Sequence, residues 1–595
     1  MAIQTVCDIF YRSLEYRKAE HLKHKQDGAW RAISSDELKA AVEEISAGLR
    51  GLGVEKADRL AILSENRPEW AFADLATLCA GAADATVYPT LTPPQVQYIL
   101  NDSEAKVVFV SKTQAAKLAE IRGKLPCLQT VVSFDTPAPA GTLSLEELRA
   151  SGRAQLAKQP DLVRRRAAEV RPGDLATLIY TSGTTGDPKG VMLSHGNLLH
   201  NVLAAAKVFP LVNQDWTCLS FLPLCHSFER TAGHNFMLYI GATIAYAEAV
   251  EKVPENMQQV RPHIMCSVPR LYEKMYARVN EKVATDSPLK QKIFRWAVGV
   301  GRAAFAHTVA NTKPAVLLKL KLALADKLVF SKIRQRTGGR LQLFISGGAP
   351  LAREIAEFFG AAGMLVCEGY GLTETSPVIT CNRPGHVRPG TVGLPLEHVE
   401  LKIAEDGEIL TRGPHVMLGY FKRPEATAEA IDGDGWFHTG DIGFVEQDGF
   451  LVITDRKKDI IVTSGGKNIA PQPIENRLKT NKFFAEVVMI GNKRHFASAL
   501  VVPNFEALEA WARANGVAAA SRAELVARPE VVAHYGLLVK LLTTDLAQFE
   551  KIKKLTLLER EFTQEAGELT PSLKVKRRVV EERYKPHIDA MYGSA

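Results

Sequence analysis

Residues 180–190 read YTSGTTGDPKG, and they follow the apolar run LATLI of residues 175–179. The apolar run predicts a buried strand, and the polar segment after it predicts a loop that binds phosphate. Its three glycines let the backbone approach a ligand closely, its hydroxyl and N–H groups donate to phosphate oxygens, and Lys189 adds a positive charge. It is not a Walker loop, because no Gly-Lys-Ser/Thr sequence closes it and Pro188 precedes the lysine.

On the N-terminal side of this loop, predicted strands alternate with a predicted helix. Apolar runs at residues 60–63, 85–88 and 107–110 are typical of buried strands, and residues 69–80 are typical of a helix. Strands that alternate with helices indicate parallel βαβ units. We therefore expect an α/β fold for this part of the chain.

The same pattern recurs in the second half of the chain. Residues 341–346 predict a strand, Gly-Gly-Ala-Pro follows at 347–350, and residues 352–359 predict a helix. Open α/β sheets bind ligands at the carboxyl ends of their strands. The segment 347–350 is therefore a second candidate ligand-binding loop.

Three further segments indicate the domain organisation. Between residues 390 and 455, short apolar runs separated by Asp-Gly pairs predict a small antiparallel, barrel-like subdomain. Residues 270–340 predict a helical insertion in which Lys and Arg are interleaved with Leu, Phe and Trp. The charge density rises after Asp455. We expect a large domain of stacked mixed sheets with helices at residues 1–455 and a smaller α+β domain at 456–595.

Composition excludes several classes of protein. The 595 residues exceed what one hydrophobic core usually organises. With 46% hydrophobic and 24% charged residues, the chain does not resemble disordered, collagen-like or coiled-coil sequences. A net charge of +8 is too dilute over this length to indicate nucleic-acid binding, and we expect no nucleic acid as a partner.

Targeting signals and cysteines favour a cytoplasmic location. The first residues contain no basic segment followed by an apolar run, and no stretch of 18 apolar residues is present. The eight cysteines form no CxxC pair, which is typical of a reducing compartment. The insertion at 270–340 leaves two interpretations open, an ordinary amphipathic surface helix or peripheral contact with the inner membrane surface.

Further motifs accompany the phosphate loop in a defined order. They are FLPLCHS at 221–227, GGAP at 347–350, YGLTE at 370–374, TGD at 439–441, DR at 455–456, SGGKNI at 464–469 and GELTPSLKVKRR at 567–578. In this order they resemble the adenylate-forming superfamily, which comprises AMP-forming acyl-CoA synthetases, luciferases and nonribosomal peptide adenylation domains. The segment Arg270-Leu271-Tyr272-Glu273-Lys274 resembles the long-chain fatty acid–CoA ligase subgroup.

The resemblance implies that the protein uses ATP, Mg²⁺ and the co-substrate CoA. The residues implied in nucleotide binding are Thr181, Ser182, Gly183, Thr184, Thr185, Gly186, Lys189, Gly347, Gly348, Ala349, Pro350, Glu368, Gly369, Tyr370, Gly371, Thr373, Asp441, Arg456 and Lys574. Thr184 and Glu374 are the implied metal ligands. The implied catalytic residues are Lys574, Lys189, Thr184 and Glu374.

The resemblance also implies that the small domain is mobile and rotates between two half-reactions. The pivot would be Lys458, two residues beyond the ribose-binding arginine. Gly465, Gly466 and Lys467 would face CoA after the rotation, since missing Cβ atoms permit close approach. His226 would border the acyl site.

These assignments agree with the charges that the chemistry requires. ATP and a fatty carboxylate are both anions, so their reaction needs neutralising groups around the α-phosphate. Asp441 can accept hydrogen bonds from a ribose diol, and Arg456 can donate to the same sugar. The family usually has Gly before its final lysine, whereas Leu573 stands there in this chain, so Lys576 is an alternative to Lys574.

The sequence thus predicts an AMP-forming long-chain fatty acid–CoA ligase whose small-molecule partners are fatty acid, ATP and CoA. Three alternatives remain open at this point: a fatty acyl-AMP ligase that loads a carrier protein, a non-catalytic acyl or nucleotide sensor, and a peripheral membrane-interaction protein. The oligomeric state, monomer or homodimer, is also open.

Overall fold

A computed structural model of the protein describes residues 3–181, 187–564, 566–570 and 574–593. Within these residues, two large sheets and one smaller antiparallel sheet occupy the chain up to Arg456, and two small sheets follow. The described helices before residue 457 are Val6–Glu15, Ser35–Gly51, Pro68–Cys79, Pro93–Asp102, Lys112–Ile121, Leu145–Lys158, Leu162–Glu169, His195–Val208, Phe236–Ile240, Val253–Val260, Pro269–Ala284, Pro288–Val309, Val316–Ala325, Ser331–Gln335, Arg353–Ala361 and Pro424–Ala430. Those after it are Pro471–Lys479, Phe505–Ala514, Arg522–Ala527, Pro529–Leu542, Arg577–Arg583 and Lys585–Tyr592.

The two large sheets are mixed, with parallel strands at their centres. In spatial order, the first contains Leu394–Pro395, Val378–Cys381, Leu365–Gly371, Leu343–Ser346, Ile264–Ser267, Thr217–Ser220, Thr243–Tyr246, Leu22–Gln26 and Ala29–Ile33. The second contains Gly419–Tyr420, Lys189–Ser194, Leu175–Thr181, Ala83–Val87, Arg59–Leu63, Val107–Val110, Thr130–Ser133 and Leu143–Ser144. The central strands are buried along almost their whole length because helices cover both faces.

The predicted secondary structure around the βαβ units is confirmed. The strands Arg59–Leu63, Ala83–Val87 and Val107–Val110 pair in parallel, and the helix Pro68–Cys79 connects the first two. The strand Leu343–Ser346 and the helix Arg353–Ala361 flank the candidate loop at 347–350. Boundaries differ from the predicted ones by one or two residues.

A four-stranded antiparallel sheet contains Glu400–Ile403, Glu408–Arg412, Phe437–Val445 and Leu451–Arg456. Together with the mixed sheets, it confirms the predicted fold class. Two short strands in the same stretch of sequence pair elsewhere. Leu394–Pro395 joins the first large sheet, and Gly419–Tyr420 joins the second by pairing with residues 191 and 192. These pairings anchor the antiparallel sheet to the larger ones.

After residue 456 the described strands form a hairpin, Ile461–Val462 with Asn468–Ile469, and a three-stranded sheet of Phe484–Ile490, Ser498–Pro503 and Lys554–Leu557. Helices pack on this sheet around an apolar cluster that includes Leu508 and Tyr535. Charged residues connect this part of the chain to the preceding part. The Arg270 guanidinium, about one third exposed, lies 3.9 Å from Glu486 and 4.0 Å from Glu561.

One ion cluster is completely buried between the sheets. The Arg230 guanidinium donates to both oxygens of Asp84, at 3.1 and 2.6 Å, and also pairs with Asp74. It donates to the Thr177 hydroxyl at 2.7 Å as well. Burial raises the pKa of Asp74 well above its usual value, against the opposing effect of Arg230. The cluster joins the π-helical turn Glu229–Asn235 to strands of the second sheet.

In the described residues, no helix is both long enough and apolar enough to cross a bilayer.

Candidate active site

The predicted phosphate loop connects two strands at the end of the second large sheet. Thr181 ends one strand, Lys189 begins the next, and these two residues pair directly. Ser182, Gly183, Thr184, Thr185 and Gly186, which the sequence predicts to bind nucleotide, lie outside the described residues. After the second strand, the Ser194 hydroxyl and the Asn197 side chain cap the helix His195–Val208 reciprocally. The strand pair thus holds Lys189 at the base of the loop.

Tyr420 lies between Lys189 and Glu374. The Lys189 ammonium group is 4.9 Å from the centre of the Tyr420 ring, a cation–π distance. The Tyr420 hydroxyl donates to Oε1 of Glu374 at 2.9 Å. Burial raises the pKa of Glu374, and the hydrogen bond from Tyr420 opposes this change. Tyr420 therefore contacts both residues that are predicted to face the phosphates, Lys189 over its ring face and Glu374 at its hydroxyl.

Asp441 is held by two donors. The Tyr370 hydroxyl donates to Oδ2 of Asp441 at 2.7 Å, and Arg456 Nε donates to Oδ1 at 2.9 Å. Asp441 and Arg456 are directly opposite each other in the antiparallel sheet, which explains how two distant motifs meet. Each carboxylate oxygen can still accept another hydrogen bond, as a ribose diol requires.

The loop at 347–350 lies at the carboxyl end of its strand, as the sequence predicts. Gly348 has φ of +83°, a conformation that favours glycine. A Cβ atom at Gly347 would lie only 3.2 Å from the Phe228 ring, so the loop packs tightly on the 221–228 segment. The adjoining Ala349 and Pro350 continue this loop, and Leu351 N, just after them, donates to the buried carboxyl of Glu368 at 3.3 Å.

Glu368 and Gly369 belong to the strand Leu365–Gly371, which continues into the YGLTE motif. Burial raises the pKa of Glu368 to about 7. Because it binds the backbone of Leu351, Glu368 positions the neighbouring loop. A Cβ atom at Gly371 would lie 1.7 Å from the carbonyl oxygen of Pro377, so no other residue fits at 371 without a backbone shift.

Among the described residues after 456, Lys574 is a predicted site residue that the structure brings to this cleft. The charges of Arg456, Asp441 and Glu374 all act on its ammonium group, and its side chain remains open to solvent. Surrounding protein lowers the pKa of Lys574, Arg456 lowers it further, and the two carboxylates oppose the change. Lys576 instead lies at the start of the helix Arg577–Arg583, where its N–H donates to the carbonyl of Glu568.

His226 lies close enough to Lys574 for the charge of the lysine to act on it. Burial lowers the pKa of His226 to about 4, and the positive charge of Lys574 contributes. Its Nδ1 accepts a hydrogen bond from Phe228 N at 3.1 Å, and its ring is 6.5 Å from that of Tyr88. The imidazole is therefore neutral at pH 7. The adjacent Ser227 hydroxyl is 3.5 Å from the Thr373 hydroxyl, which connects this segment to the YGLTE motif.

The structure does not bring Gly465, Gly466 and Lys467 to this cleft. They form the exposed turn of the hairpin after Ile461–Val462, and Gly466 has φ of +72°. Nothing lies within 4 Å of a Cβ atom built on either glycine. Lys458 lies in the exposed turn just after the strand that ends at Arg456.

The described residues can bind Mg²⁺ only if phosphate groups of the substrate supply further ligands. They contain no group of three or more His, Cys, Asp or Glu side chains that could hold a metal ion. The carboxylate of Glu374 accepts the Tyr420 hydroxyl at Oε1 and keeps further acceptor capacity. Magnesium binds proteins through one or two carboxylates plus substrate phosphates and water, so a single carboxylate suffices.

Two residues of this region were not predicted from the sequence. Tyr420 reaches the cleft through a two-residue strand, and Tyr88 reaches His226 from the end of another strand. Neither lies in one of the motifs. A tyrosine next to a short strand has many structural uses, so the sequence alone gives no signal for these contacts.

Comparison with known proteins identifies the family to which the chain belongs. The chain matches a model described as AMP-binding enzyme over residues 12–421, and one described as AMP-binding enzyme C-terminal domain over residues 458–595. It is 37% identical over 570 residues to the long-chain-fatty-acid–CoA ligase FadD15 of Mycobacterium tuberculosis, covering 95% of this chain and 93% of the relative. Fatty acyl-CoA synthetase A of Dictyostelium discoideum is 33% identical and covers 96% and 88% of the two chains.

Solved structures share the fold. The anthranilate CoA ligase AuaEII in complex with anthranoyl-AMP has a TM-score of 0.77 at 21% identity, with 99% of both chains covered. ATP-bound MatB from Rhodopseudomonas palustris has a TM-score of 0.70 at 24% identity, with 99% of this chain and 100% of that chain covered. Two family models that together span most of the sequence, and relatives more than 30% identical over most of their length, establish that this chain belongs to the AMP-binding enzyme family.

Proposed function

We propose that this protein is an AMP-forming long-chain fatty acid–CoA ligase. It converts fatty acid, ATP and CoA into acyl-CoA, AMP and pyrophosphate through an acyl-adenylate. The observation that supports this most directly is the position of Lys574, where the charges of Glu374, Asp441 and Arg456 act on it. The names of the relatives, long-chain-fatty-acid–CoA ligase and fatty acyl-CoA synthetase, support the substrate class.

In the first half-reaction, an oxygen of the fatty carboxylate attacks the α-phosphorus of ATP. The new O–P bond forms as the bond to pyrophosphate breaks. A carboxylate is already ionised at neutral pH and needs no general base, which agrees with the low pKa of His226. The Lys574 ammonium group then lies where it can neutralise negative charge developing on the α-phosphate.

Other residues hold ATP during this step. Asp441 and Arg456 bind the ribose, and Lys189 neutralises the outer phosphates. Glu374 and Thr184 would hold Mg²⁺, which when bound neutralises charge on the leaving pyrophosphate. Glu368 and the glycines near it shape the adenine side of the cleft.

In the second half-reaction, the CoA thiol attacks the acyl carbonyl and AMP leaves. We infer that the small domain, from residue 456 onward, rotates about Lys458 for this step and brings Gly465, Gly466 and Lys467 to the CoA tunnel. The exposed, glycine-rich turn supports this assignment, because it has room for a closely approaching chain.

Product analysis tests the proposed function. The purified enzyme is incubated with ATP, Mg²⁺ and fatty acids of graded length, with either free CoA or a phosphopantetheinylated carrier protein. We expect acyl-CoA and AMP with long-chain acids and free CoA. Acyl transfer to the carrier alone would identify an acyl-AMP ligase, and the absence of AMP formation would identify a non-catalytic binding protein.

Restriction of the pivot is expected to separate the two half-reactions. In Lys458→Pro the proline ring fixes φ at about −65°, so rotation about this bond is hindered. Pyrophosphate exchange should continue while the rate of thioester formation from acyl-adenylate falls. Lys458→Ala, which removes the charge but leaves the backbone free, is the matched control and should keep both activities. If pyrophosphate exchange falls as much as thioester formation in Lys458→Pro, Lys458 is not the pivot.

We also propose that the reaction takes place in the cytoplasm. The described cysteines are all free, and seven of the eight are buried, which suits a reducing compartment.

A further inference from the structure

The helical segment at residues 287–336 has an unusual concentration of positive charge. It contains eleven Lys and Arg residues and a single acidic residue, Asp326. This excess is larger than the net charge of +8 of the whole chain. Asp326 is itself neutralised locally, because Arg334 donates to both of its oxygens at 2.6 and 3.0 Å. The surface of the segment is therefore almost purely cationic.

The same segment exposes a row of leucines. In the helix Val316–Ala325 and the turn after it, the exposed fractions are 63% for Leu317, 65% for Leu320, 51% for Leu324 and 38% for Leu328. Their spacings of three and four residues place them on one face of a helix. The four leucines form a contiguous apolar patch, whereas the exposed leucines of soluble proteins are usually scattered singly.

The opposite face of this helix has a different role. Leu318 and Leu322 are half-buried, and Ala325 and Phe330 are buried, in the cluster that covers the first large sheet. The helix is therefore fixed to the body of the protein by one apolar face and presents a second one to solvent.

Lysines flank the exposed leucines. Lys313, Lys319, Lys321 and Lys327 are all exposed, and among the described residues none of them forms an ion pair with a carboxylate. Lysine stems can lie along apolar surface while their ammonium groups reach outward to phosphate. An apolar strip bordered by unpaired lysines is the pattern of a helix that lies in a membrane interface.

We propose that the surface formed by residues 313–328 docks on an anionic lipid bilayer, with the leucines inserted among the acyl chains and the lysines at the phosphate groups. A second copy of the same surface does not fit, because two cationic faces would repel. Nucleic acid would satisfy the lysines but leave the leucines in water. The surface is separate from the nucleotide cleft, so the proposal goes beyond the proposed function and does not depend on it.

Vesicle flotation with the full-length protein tests the proposal. Phosphatidylcholine vesicles are compared with vesicles that also contain phosphatidylglycerol, without any substrate. We expect flotation with the anionic vesicles and release at high salt, since exposed charges are screened. Binding that is equal on both kinds of vesicle, or no flotation on either, would overturn the proposal.

Two sets of variants separate the contributions of charge and apolar surface. Replacing the four lysines by Gln should weaken binding about fivefold for each lysine, the change that corresponds to roughly 1 kcal/mol per basic residue near an anionic membrane. Leu317→Gln, Leu320→Gln and Leu324→Gln combined should weaken binding at least about tenfold by removing inserted apolar area.

Leu537 and Leu541 provide the matched control. They are 55% and 59% exposed on the helix Pro529–Leu542, far along the chain from the cationic segment. Replacing both by Gln should leave flotation unchanged. Circular dichroism and thermal unfolding verify that each variant is folded. If the control weakens flotation as much as the leucine variant, or if the leucine variant changes self-association and not flotation, the surface binds something other than a bilayer.

Discussion

Lys574→Ala is expected to lower the rate of acyl-adenylate formation by about 10² to 10³-fold, the usual effect of removing one group that stabilises charge in a transition state. The Lys574 ammonium group lies in the cleft, where the charges of Arg456 and Glu374 act on it. Pyrophosphate exchange measures this half-reaction. Conversion of supplied acyl-adenylate and CoA into acyl-CoA should persist, because the proposed rotation would move Lys574 out of the cleft for that step.

Lys576→Ala is the matched control, since it removes the same charge two residues further along. Its rate of pyrophosphate exchange should stay close to that of the unmodified enzyme. If Lys576→Ala is the more damaging change, the final-motif lysine is Lys576. If Lys574→Ala impairs both half-reactions equally, the effect is structural and not specific to adenylation.

The lowered pKa of Lys574 has a further expected result. Its ammonium group loses the proton at a lower pH than an ordinary lysine, so adenylation should decline earlier on the alkaline side. The pH dependence of kcat/KM for ATP reports the free enzyme and is the quantity to measure.

Arg230→Met is expected to destabilise the protein by about 3–5 kcal/mol, the range for removing one partner of a buried ion pair. Methionine approximates the length of the side chain but leaves Asp84 buried without its cation. The shift in the urea midpoint of the large domain, followed by tryptophan fluorescence, measures the loss. Replacing Asp84 by Asn in the same variant should recover part of it, because the uncompensated charge is then removed.

Arg388 offers a control with the same chemistry at the surface. It also pairs with two carboxylates, those of Glu446 and Asp448, but its side chain is 37% exposed. Arg388→Met should change stability by no more than about 1 kcal/mol, as is usual for exposed pairs. Equal losses of stability in Arg388→Met and Arg230→Met would show that burial does not determine how much these ion pairs contribute to stability.

The parallel strands and the ligand-binding loops were largely predictable because both depend on local sequence patterns. Apolar runs with flanking helices predict the parallel strands, and glycine-rich segments after them predict the loops. Asp441 and Arg456 meet because their strands are adjacent in sequence and pair in register. The pairing of strands that follow each other along the chain can therefore be predicted from the sequence.

Contacts between distant segments were not predictable in this way. Tyr420 joins Lys189 and Glu374 only because residues 419–420 pair with a strand more than two hundred residues earlier. Arg230 has the sequence context of an ordinary charged helical residue, and its burial depends on meeting Asp74 and Asp84 in the folded protein. In both cases tertiary packing determines which residues contact each other, and no local sequence pattern indicates these contacts.

The ion pairs of Arg270 stabilise the observed orientation of the small domain only weakly. At 3.9 and 4.0 Å from Glu486 and Glu561, and partly in water, they stabilise the observed orientation by at most about 1 kcal/mol each. Such contacts weaken as ionic strength rises, because the screening length falls below about 8 Å. We therefore expect concentrated salt to weaken the contact between Arg270 and the small domain, which would ease the rotation that we propose for this domain.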